Sequence, residues 1–388
     1  MFSSRIGWEL SQNRLSKILA RKREEAVRVI DLAVSNPTKV GLPYDGYAIL
    51  SALSDRSALV YEPDPLGMKS AREAIADAFG QKADPSRLLL TASTSEAYSF
   101  LFRILCDEGD AVLVPRPSYP LFEFLAGLDG VRLLPYDLEY VHPAGWEIDF
   151  GTLAASAEDE RVRAVLTVSP NNPTGSMIRN SERERLANFC AGRGLAWISD
   201  EVFSDFLLEP RQDAVRSVIG ENRCLTFTLN GFSKLLGLPQ LKLAWIAVSG
   251  PEVLAAEAME RLELVADTFL SVGTPVQSAV PALLAMRGPF REALLARARE
   301  NLGILRQTFE GGTLRVLRVE GGWSAVIECP RFDADETLAE NLLERENVLA
   351  YPGEFFAFQG GAHLISSLIA PADDTREGAM RMRNFFEG

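Results

Sequence analysis

The sequence predicts an α/β protein with a larger unit built on a mostly parallel sheet and a smaller α+β unit. Seven short apolar runs between residues 88 and 248 alternate with amphipathic stretches, the pattern of helices that cover a parallel sheet. After about Val272 this alternation gives way to a long helical region, followed by mixed strand and helix candidates. A chain of 388 residues, 47% of them hydrophobic, is long enough for two units with cores of their own.

The individual elements follow from hydrophobic periodicity and turn residues. The predicted strands of the larger unit are 88–91, 111–114, 131–135, 164–168, 196–199, 225–229 and 244–248, with helices between them such as 94–106 and 182–191. In the smaller unit we expect strands at 314–319, 324–327 and 363–369, and helices to about residue 28, to about 309 with a break at 289, at 336–345 and up to 385. The larger unit should span residues 46–275, and the smaller unit should combine 1–45 with 276–388.

Composition argues against several classes of function. A formal net charge of −13 disfavours nucleic acids and anionic membranes as partners, and no apolar run is long enough to cross a bilayer. The four cysteines lack disulfide or metal spacing, and the first ten residues lack the apolar core of a secretion signal, so a cytoplasmic location is expected. There are only two histidines, His142 and His363, far apart in the chain. We therefore expect no metal site and no histidine triad, and the chemistry must come from Lys, Asp, Tyr or a cofactor.

A lysine follows the sixth predicted strand, in segment 229–239 with the sequence LNGFSKLLGLP. At the carboxyl edge of a parallel sheet, Lys234 is placed to face a ligand. A lysine amine can form an imine with an aldehyde cofactor if its surroundings lower its pKa. Taken alone, the pattern is more typical of a solvated loop lysine.

An aspartate ends the preceding strand, in segment 197–203 with the sequence WISDEVF. A buried carboxylate is costly unless it is paired. A cation such as a protonated pyridine nitrogen would suit Asp200, and a helix cap or an ion pair is the structural alternative.

Three further strand-end segments carry polar or aromatic side chains. In 169–175 (SPNNPTG), Asn172 offers an amide to the sheet edge, although these residues also form ordinary turns. In 91–97 (TASTSEA), hydroxyls and free N–H groups at a helix start suit a phosphate, or simply cap the helix. In 115–120 (PRPSYP), Tyr119 can stack on a flat heterocycle.

In this order and spacing, the five segments resemble the class I/II aminotransferases of fold type I, which depend on pyridoxal 5′-phosphate (PLP). The resemblance extends from about Val34 to the C-terminus, and it rests on NNPTG, DEVF and GFSK together, about thirty residues apart. It implies a large domain with a mostly parallel seven-stranded sheet and a smaller α+β domain that closes over the substrate. These segments also meet the general need of a PLP protein for an imine-forming lysine and a partner for the ring nitrogen.

The resemblance assigns the parts of the cofactor to particular residues. It implies that Lys234 carries PLP as a Schiff base and moves the proton in the 1,3-shift. Asp200 would pair with the pyridinium nitrogen and Tyr119 would stack on the ring. Asn172 would donate to the phenolic oxygen, and its bond to Pro173 would be cis.

The phosphate has its own expected partners. By resemblance, they are Ser93, Thr94 and Ser233. Tyr61, in segment 60–67 (VYEPDPLG), would reach the phosphate of a neighbouring subunit, which implies a homodimer with shared active sites.

The chain departs from the family pattern at several site positions. Phe203 stands where a tyrosine is usual, so one hydrogen bond to the phenolic oxygen is missing. Lys242 replaces the phosphate-binding arginine, and Gly231 stands where many relatives have serine. Ile365 or a neighbour occupies the place of the arginine that clamps the substrate's α-carboxylate. Isoleucine cannot make such a clamp. The nearby Arg376 and Arg381 are expected on a helix surface.

The function implied is ping-pong transfer of an amino group from an amino acid or amine to a 2-oxo acid. A PLP-dependent lyase, of the β-elimination or C–S lyase type, is the alternative, because the same lysine and aspartate serve that chemistry. A regulatory PLP-binding protein is less favoured, since such regulators usually append a DNA-binding module. A nucleotide-binding dehydrogenase has no support, because no G-x-G-x-x-G follows the first predicted strand of the sheet.

Overall fold

The computed structural model describes residues 3–8, 11–80 and 83–388. Its strands are β1 (Ile30–Asp31), β2 (Leu88–Thr91), β3 (Ala111–Arg116), β4 (Arg132–Val141), β5 (Gly145–Ile148), β6 (Val162–Val168), β7 (Ala196–Asp200), β8 (Thr226–Gly231), β9 (Ala244–Ser249), β10 (Arg315–Val316), β11 (Ser324–Glu328), β12 (Val348–Leu349), β13 (Tyr351–Pro352) and β14 (His363–Ser367).

The helices lie between and after these strands. They are α1 (Arg14–Glu24), α2 (Gly46–Leu53), α3 (Lys69–Phe79), α4 (Thr94–Leu105), α5 (Leu121–Leu128), α6 (Phe150–Ser156), α7 (Asn180–Arg193), α8 (Phe232–Leu235), α9 (Glu252–Phe269), α10 (Thr274–Ala285), α11 (Arg287–Phe309), α12 (Asp335–Glu346) and α13 (Ala372–Glu387).

The main sheet has the strand order β2-β9-β8-β7-β6-β3-β4-β5. Strands β8, β7, β6, β3 and β4 are parallel, and β9 runs antiparallel to both of its neighbours. The predicted α/β class and the seven predicted strands are confirmed. Within the described residues the sheet nevertheless has eight strands, so the expected count of seven was one too low.

The extra strand β5 forms a hairpin with β4. Strand β4 continues to Val141, beyond the predicted end at 135, and its last four residues pair with Gly145–Ile148. The signal was present in the sequence, because Tyr136, Leu138 and Tyr140 alternate with acidic residues, as in a strand with one exposed face. Gly145, the first residue after the turn, has φ +101°, a conformation that favours glycine.

Helices cover both faces of the central part of the main sheet, which explains why its central strands are apolar without alternation. On one face Leu166 packs with residues of α4 and α9, among them Leu101 and Leu262. On the other face Val165 packs with residues of α6 and α7, such as Leu153 and Leu186. The polar ends of the strands are consequently left at the carboxyl edge, where ligands bind in sheets of this kind.

A second sheet, with the order β10-β11-β14-β13, is antiparallel, and the two-residue strands β1 and β12 pair beside it. Its core includes side chains from α1, α11, α12 and α13. Two predictions need correction here. The strand expected at 314–319 forms only at Arg315–Val316, and the opening helix ends at Glu24 instead of residue 28.

The helical break expected at Pro289 lies three residues earlier, at Met286 between α10 and α11. Pro289 instead occupies the first turn of α11, where a missing N–H removes no intrahelical bond. The proposed division at residues 45 and 275 remains a prediction, and residues 1, 2, 9 and 10 of the predicted smaller unit lie outside the described residues. Across the described ranges, no helix combines the length and the apolar character needed to span a bilayer.

Candidate active site

The candidate site is a cavity of about 580 Å³ at the carboxyl edge of the main sheet. Seven of the ten predicted site residues line it: Thr94, Tyr119, Asn172, Asp200, Phe203, Ser233 and Lys234. They come from five separate stretches of sequence, which the parallel strands bring to one edge. The cavity is also lined by apolar side chains, including Phe122, Val168 and Val202.

Lys234 lies in the one-turn helix α8, directly after β8. Its Nζ is 5.6 Å from the centre of the Phe203 ring and 4.9 Å from the centre of the Trp323 ring. Burial lowers the pKa of Lys234 below its ordinary value, and the negative charge of Asp200 opposes this in part. The amine is therefore more readily deprotonated, and so more nucleophilic, than a lysine on the surface.

Gly231 precedes this helix, and the structure explains why it is glycine. A Cβ at this position would lie 2.8 Å from the Cβ of Ala244 on the neighbouring strand β9. The backbone of residue 231 is extended, so the requirement comes from the close approach of the two strands.

Asp200 ends strand β7 and is buried. Its Oδ2 accepts a hydrogen bond of 2.7 Å from the Tyr98 hydroxyl, and its Oδ1 accepts one of 3.1 Å from the Val202 N–H. Burial raises the pKa of Asp200, while these two hydrogen bonds and the charge of Lys234 lower it in part. A buried carboxylate at a cavity wall is suited to a cationic group of a ligand.

Asn172 lies in the loop after β6, and the Asn172–Pro173 bond is cis as predicted. Gly175 in this loop has φ +68°, and a Cβ there would lie 2.6 Å from the carbonyl oxygen of Gly321. The carbonyl of Gly175 accepts hydrogen bonds from the N–H groups of Glu320 and Gly321, at 3.1 and 2.9 Å. The loop is thereby fixed to the segment before β11, with Asn172 in the cavity wall.

Tyr119 lies on the loop between β3 and α5, with its ring edge-to-face to Phe122 at 5.7 Å. Burial, and then the charge of Asp200, raise the pKa of Tyr119. The ring stays neutral and provides a flat aromatic surface in the cavity wall.

The N-terminus of α4 also reaches the cavity, through Thr94. Ser93 caps this helix, since its Oγ accepts a hydrogen bond from the Glu96 N–H at 3.1 Å, and Glu96 Oε2 accepts one from the Ala92 N–H at 2.7 Å. This arrangement is the helix cap that the sequence allowed as an alternative. Ser93 does not line the cavity, whereas Thr94 and Ser233 do.

Lys242 and Tyr61 do not line the cavity. Lys242 is exposed, with φ +53°, after a short 3-10 helix at Pro239–Leu241. Tyr61 is 75% exposed and borders a separate depression of about 530 Å³ together with Asp64, Gly67 and Gln277.

Ile365 is buried in β14 opposite Val326. It belongs to an apolar cluster with Trp146, Leu317 and Phe356. The place expected for a carboxylate-binding arginine is therefore packed with hydrocarbon and aromatic rings.

The two arginines near Ile365 in sequence lie on α13, as expected. Arg376 is exposed, and Arg381 pairs with Glu377 on the same helix and donates to the carbonyl of Glu346. Neither lines the cavity.

The family model "Aminotransferase class I and II" matches residues 28–365. The chain belongs to this family. It is 27% identical to the arginine–pyruvate transaminase AruH of Pseudomonas aeruginosa, over 97% of this chain and 93% of that protein. It is 25% identical to an alanine aminotransferase of Mycobacterium tuberculosis, over 94% of this chain and 87% of that protein.

Solved structures show the same fold. A crystal structure of an aminotransferase from Escherichia coli superposes with a TM-score of 0.86 at 21% identity, covering 100% of this chain and 98% of that one. One relative has a different activity: an S-alkyl-thiohydroximate lyase of Arabidopsis thaliana is 27% identical over 61% of this chain and 52% of that protein.

Aminotransferases of this family depend on PLP, and the cavity of this aminotransferase fits that cofactor. It offers an amine of lowered pKa for the aldehyde, a buried carboxylate for the ring nitrogen, and an aromatic ring for the face of the pyridine. Three polar side chains in its wall, those of Thr94, Asn172 and Ser233, have no hydrogen-bond partner within the described ranges. Unpaired polar groups in a cavity wall suit a ligand rich in hydrogen-bonding oxygens.

Sequence reasoning missed Tyr98 and Trp323, which contact Asp200 and Lys234. Tyr98 could have been found, because it lies four residues after Thr94 and so shares a helix face with it. Trp323 gave no comparable signal, since its position over Lys234 depends on how the segment before β11 packs against the main sheet.

Proposed function

We propose that this aminotransferase binds PLP through Lys234 and transfers an amino group from an amino acid or amine to a 2-oxo acid. The observation that carries the proposal is the pairing of Lys234 with Asp200 in one cavity. The amine has a lowered pKa, and the carboxylate is buried with one hydrogen bond on each oxygen. These are the two groups that amino-group chemistry on PLP requires from a protein.

In this proposal Lys234 Nζ would hold the cofactor through its aldehyde group. PLP, when bound, would supply an electron sink for the carbon that gives up its proton. Lys234 Nζ would also be the group that moves this proton during amino-group transfer. A desolvated amine suits this exchange, because it gains and loses a proton more easily than an exposed lysine.

The other residues bind and orient. Asp200 holds a proton on the ring nitrogen, Asn172 donates to the phenolic oxygen, and Tyr119 covers the ring. Phe203 has no hydroxyl to add a second donor, so Asn172 acts there alone. Thr94, Ser233 and the N-terminus of α4 receive the phosphate, since the free N–H groups of a helix start favour an anion.

We further propose a homodimer with shared sites, in which Tyr61 of a second copy reaches the phosphate. Support comes from the exposed apolar side chains that precede it in the sequence, namely Tyr47, Leu50, Leu59 and Val60. Several exposed apolar side chains in one segment are typical of a protein interface. Lys242, near this interface, would contact the phosphate as a single point charge, without the two-pronged contact of an arginine.

The domain division at residues 45 and 275 and a cytoplasmic location belong to the same proposal. The four cysteines are all free thiols, which fits a reducing compartment.

A lyase is the second candidate, favoured by the match to the Arabidopsis lyase. A single-turnover experiment separates the two. Purified enzyme with PLP is mixed with a panel of amino acids and amines, without an acceptor, and its absorption spectrum, ammonia and carbonyl products are followed. A transaminase converts its cofactor to pyridoxamine phosphate in one stoichiometric turnover and releases no ammonia. Continuous release of ammonia and a keto acid would establish the lyase instead.

A further inference from the structure

Helix α4 connects two ends of the candidate site. Thr94, its first residue, lines the cavity where a phosphate is expected. Tyr98, four residues later, donates its hydroxyl hydrogen to Asp200 Oδ2 at 2.7 Å. Residues four apart lie on the same helix face, so one rigid element contacts both the phosphate end and the carboxylate.

We propose that Tyr98 is a positioning residue that keeps Asp200 oriented and ionised for the ring nitrogen of PLP. This proposal rests on the proposed function, because it assumes that Asp200 meets that nitrogen. Tyr98 would act through Asp200 and would not touch the cofactor.

The packing of Tyr98 supports a fixed geometry. Its side chain is only 2% exposed, and its ring meets Phe122 edge-to-face at 5.2 Å. Phe122 in turn lines the cavity and packs against Tyr119. The Tyr98 ring therefore cannot move away from Asp200 without disturbing the cavity wall.

The electrostatics give Tyr98 a specific task. Within the described part of the chain, it is the one side chain that donates a hydrogen bond to Asp200, since Val202 donates from its backbone. Burial, followed by the charge of Asp200, raises the pKa of Tyr98 well above its ordinary value. The phenol therefore stays protonated at neutral pH and remains a donor to Asp200.

The consequence concerns the proton shared by Asp200 and the ring nitrogen. In a buried pair, this proton can lie on the nitrogen, giving an ion pair, or on the carboxylate, giving a neutral pair. Burial favours the neutral pair. A donor to the carboxylate makes it less basic and moves the proton to the nitrogen, where it strengthens the electron sink.

The test is Tyr98→Phe, which removes one oxygen and keeps the ring. Tyr136→Phe is the matched control, because Tyr136 is also fully buried and its hydroxyl donates to the Leu166 carbonyl at 2.9 Å, in the core of the same sheet. Each apoenzyme is titrated with PLP while absorption is recorded. We expect Tyr98→Phe to weaken PLP binding about 10-fold, equal to about 1.4 kcal/mol, and to shift the absorption of the bound cofactor. Tyr136→Phe should change neither quantity.

A double-mutant cycle with Asp200→Asn shows whether Tyr98 acts through Asp200. With a neutral amide at position 200, adding Tyr98→Phe should change PLP affinity by less than about twofold. Equal affinity and spectrum for Tyr98→Phe and wild type would overturn the proposal, and so would an undiminished effect in the Asp200→Asn background. If the wild-type protein forms no cofactor band at all, the proposed function fails, and this proposal fails with it.

Discussion

Glu201, next to Asp200, provides a quantitative test of the structure through the pH dependence of stability. Its side chain is only 3% exposed, and its Oε1 accepts hydrogen bonds from Ser199 Oγ at 3.2 Å and from the Val218 N–H at 2.8 Å. Burial raises the pKa of Glu201 from 4.5 to about 7, although these hydrogen bonds oppose the rise. The folded protein thus holds this proton more tightly than the unfolded chain does.

The sign of the effect follows from this raised pKa. The stabilisation is fully present below the unfolded pKa of 4.5 and is lost as pH rises through about 7. Glu201→Gln removes the titration and keeps an oxygen acceptor. From pH 5.5 to 8, the free energy of unfolding of the wild type should fall relative to that of the variant by about 2 kcal/mol, at about 1.4 kcal/mol per pH unit between 5.5 and 7.

The assay is urea unfolding of both apoproteins at pH 5.5 and pH 8, compared through their midpoints at equal m-values. Glu221→Gln is the control, because the pKa of Glu221 is shifted in the opposite direction: Arg223 and Arg183 lower it from 4.5 to about 2. That group is ionised at both pH values, so its removal should destabilise the protein by a similar amount at each. A difference between wild type and Glu201→Gln that does not change with pH would refute the assignment of a buried, protonated Glu201.

Two further predictions concern the loops around the cavity. Gly175→Ala should destabilise the protein by about 1–3 kcal/mol, because φ +68° and the nearby Gly321 carbonyl both disfavour a side chain there. Urea unfolding measures this loss, and unchanged stability would contradict the described loop. Lys242→Arg should tighten PLP binding a few-fold, because a guanidinium fork can hold two phosphate oxygens, whereas Lys242→Ala should weaken it. A titration of each apoenzyme with PLP measures both effects. Equal affinities in the wild type and both variants would remove Lys242 from the proposed phosphate site.

The sequence predicted the main sheet and most of the cavity for the same physical reason. Strands buried on both faces appear as apolar runs, and polar residues that follow such runs, such as Asn172 and Asp200, must meet at the carboxyl edge. The hairpin strand β5 was missed because Gly145–Ile148 is too short to stand out, and its partner residues 138–141 lie beyond Pro135, where the predicted strand ended. The presence of strand β4 was predictable, whereas its length depended on finding that partner.

Other parts of the site depend on contacts that a single sequence does not encode locally. Ser93 was ambiguous because the same hydroxyl suits a helix cap and a phosphate, and the structure uses it as a cap. Trp323 reaches Lys234 through the packing of two sheets. The role proposed for Tyr61 involves a second copy of the chain. Ile365 was found as a departure from the family pattern, and only the structure reveals the apolar cluster that surrounds it.

The central claim is that Lys234 carries the cofactor, and chemical trapping tests it most directly. The protein is incubated with PLP, reduced with borohydride, digested, and mapped by mass spectrometry. We predict one modified peptide, containing segment 229–239 with the pyridoxyl group on Lys234, and none when the same procedure is applied to Lys234→Ala. A stoichiometric label on another lysine, such as Lys242, or no label on the wild-type protein, would contradict the account.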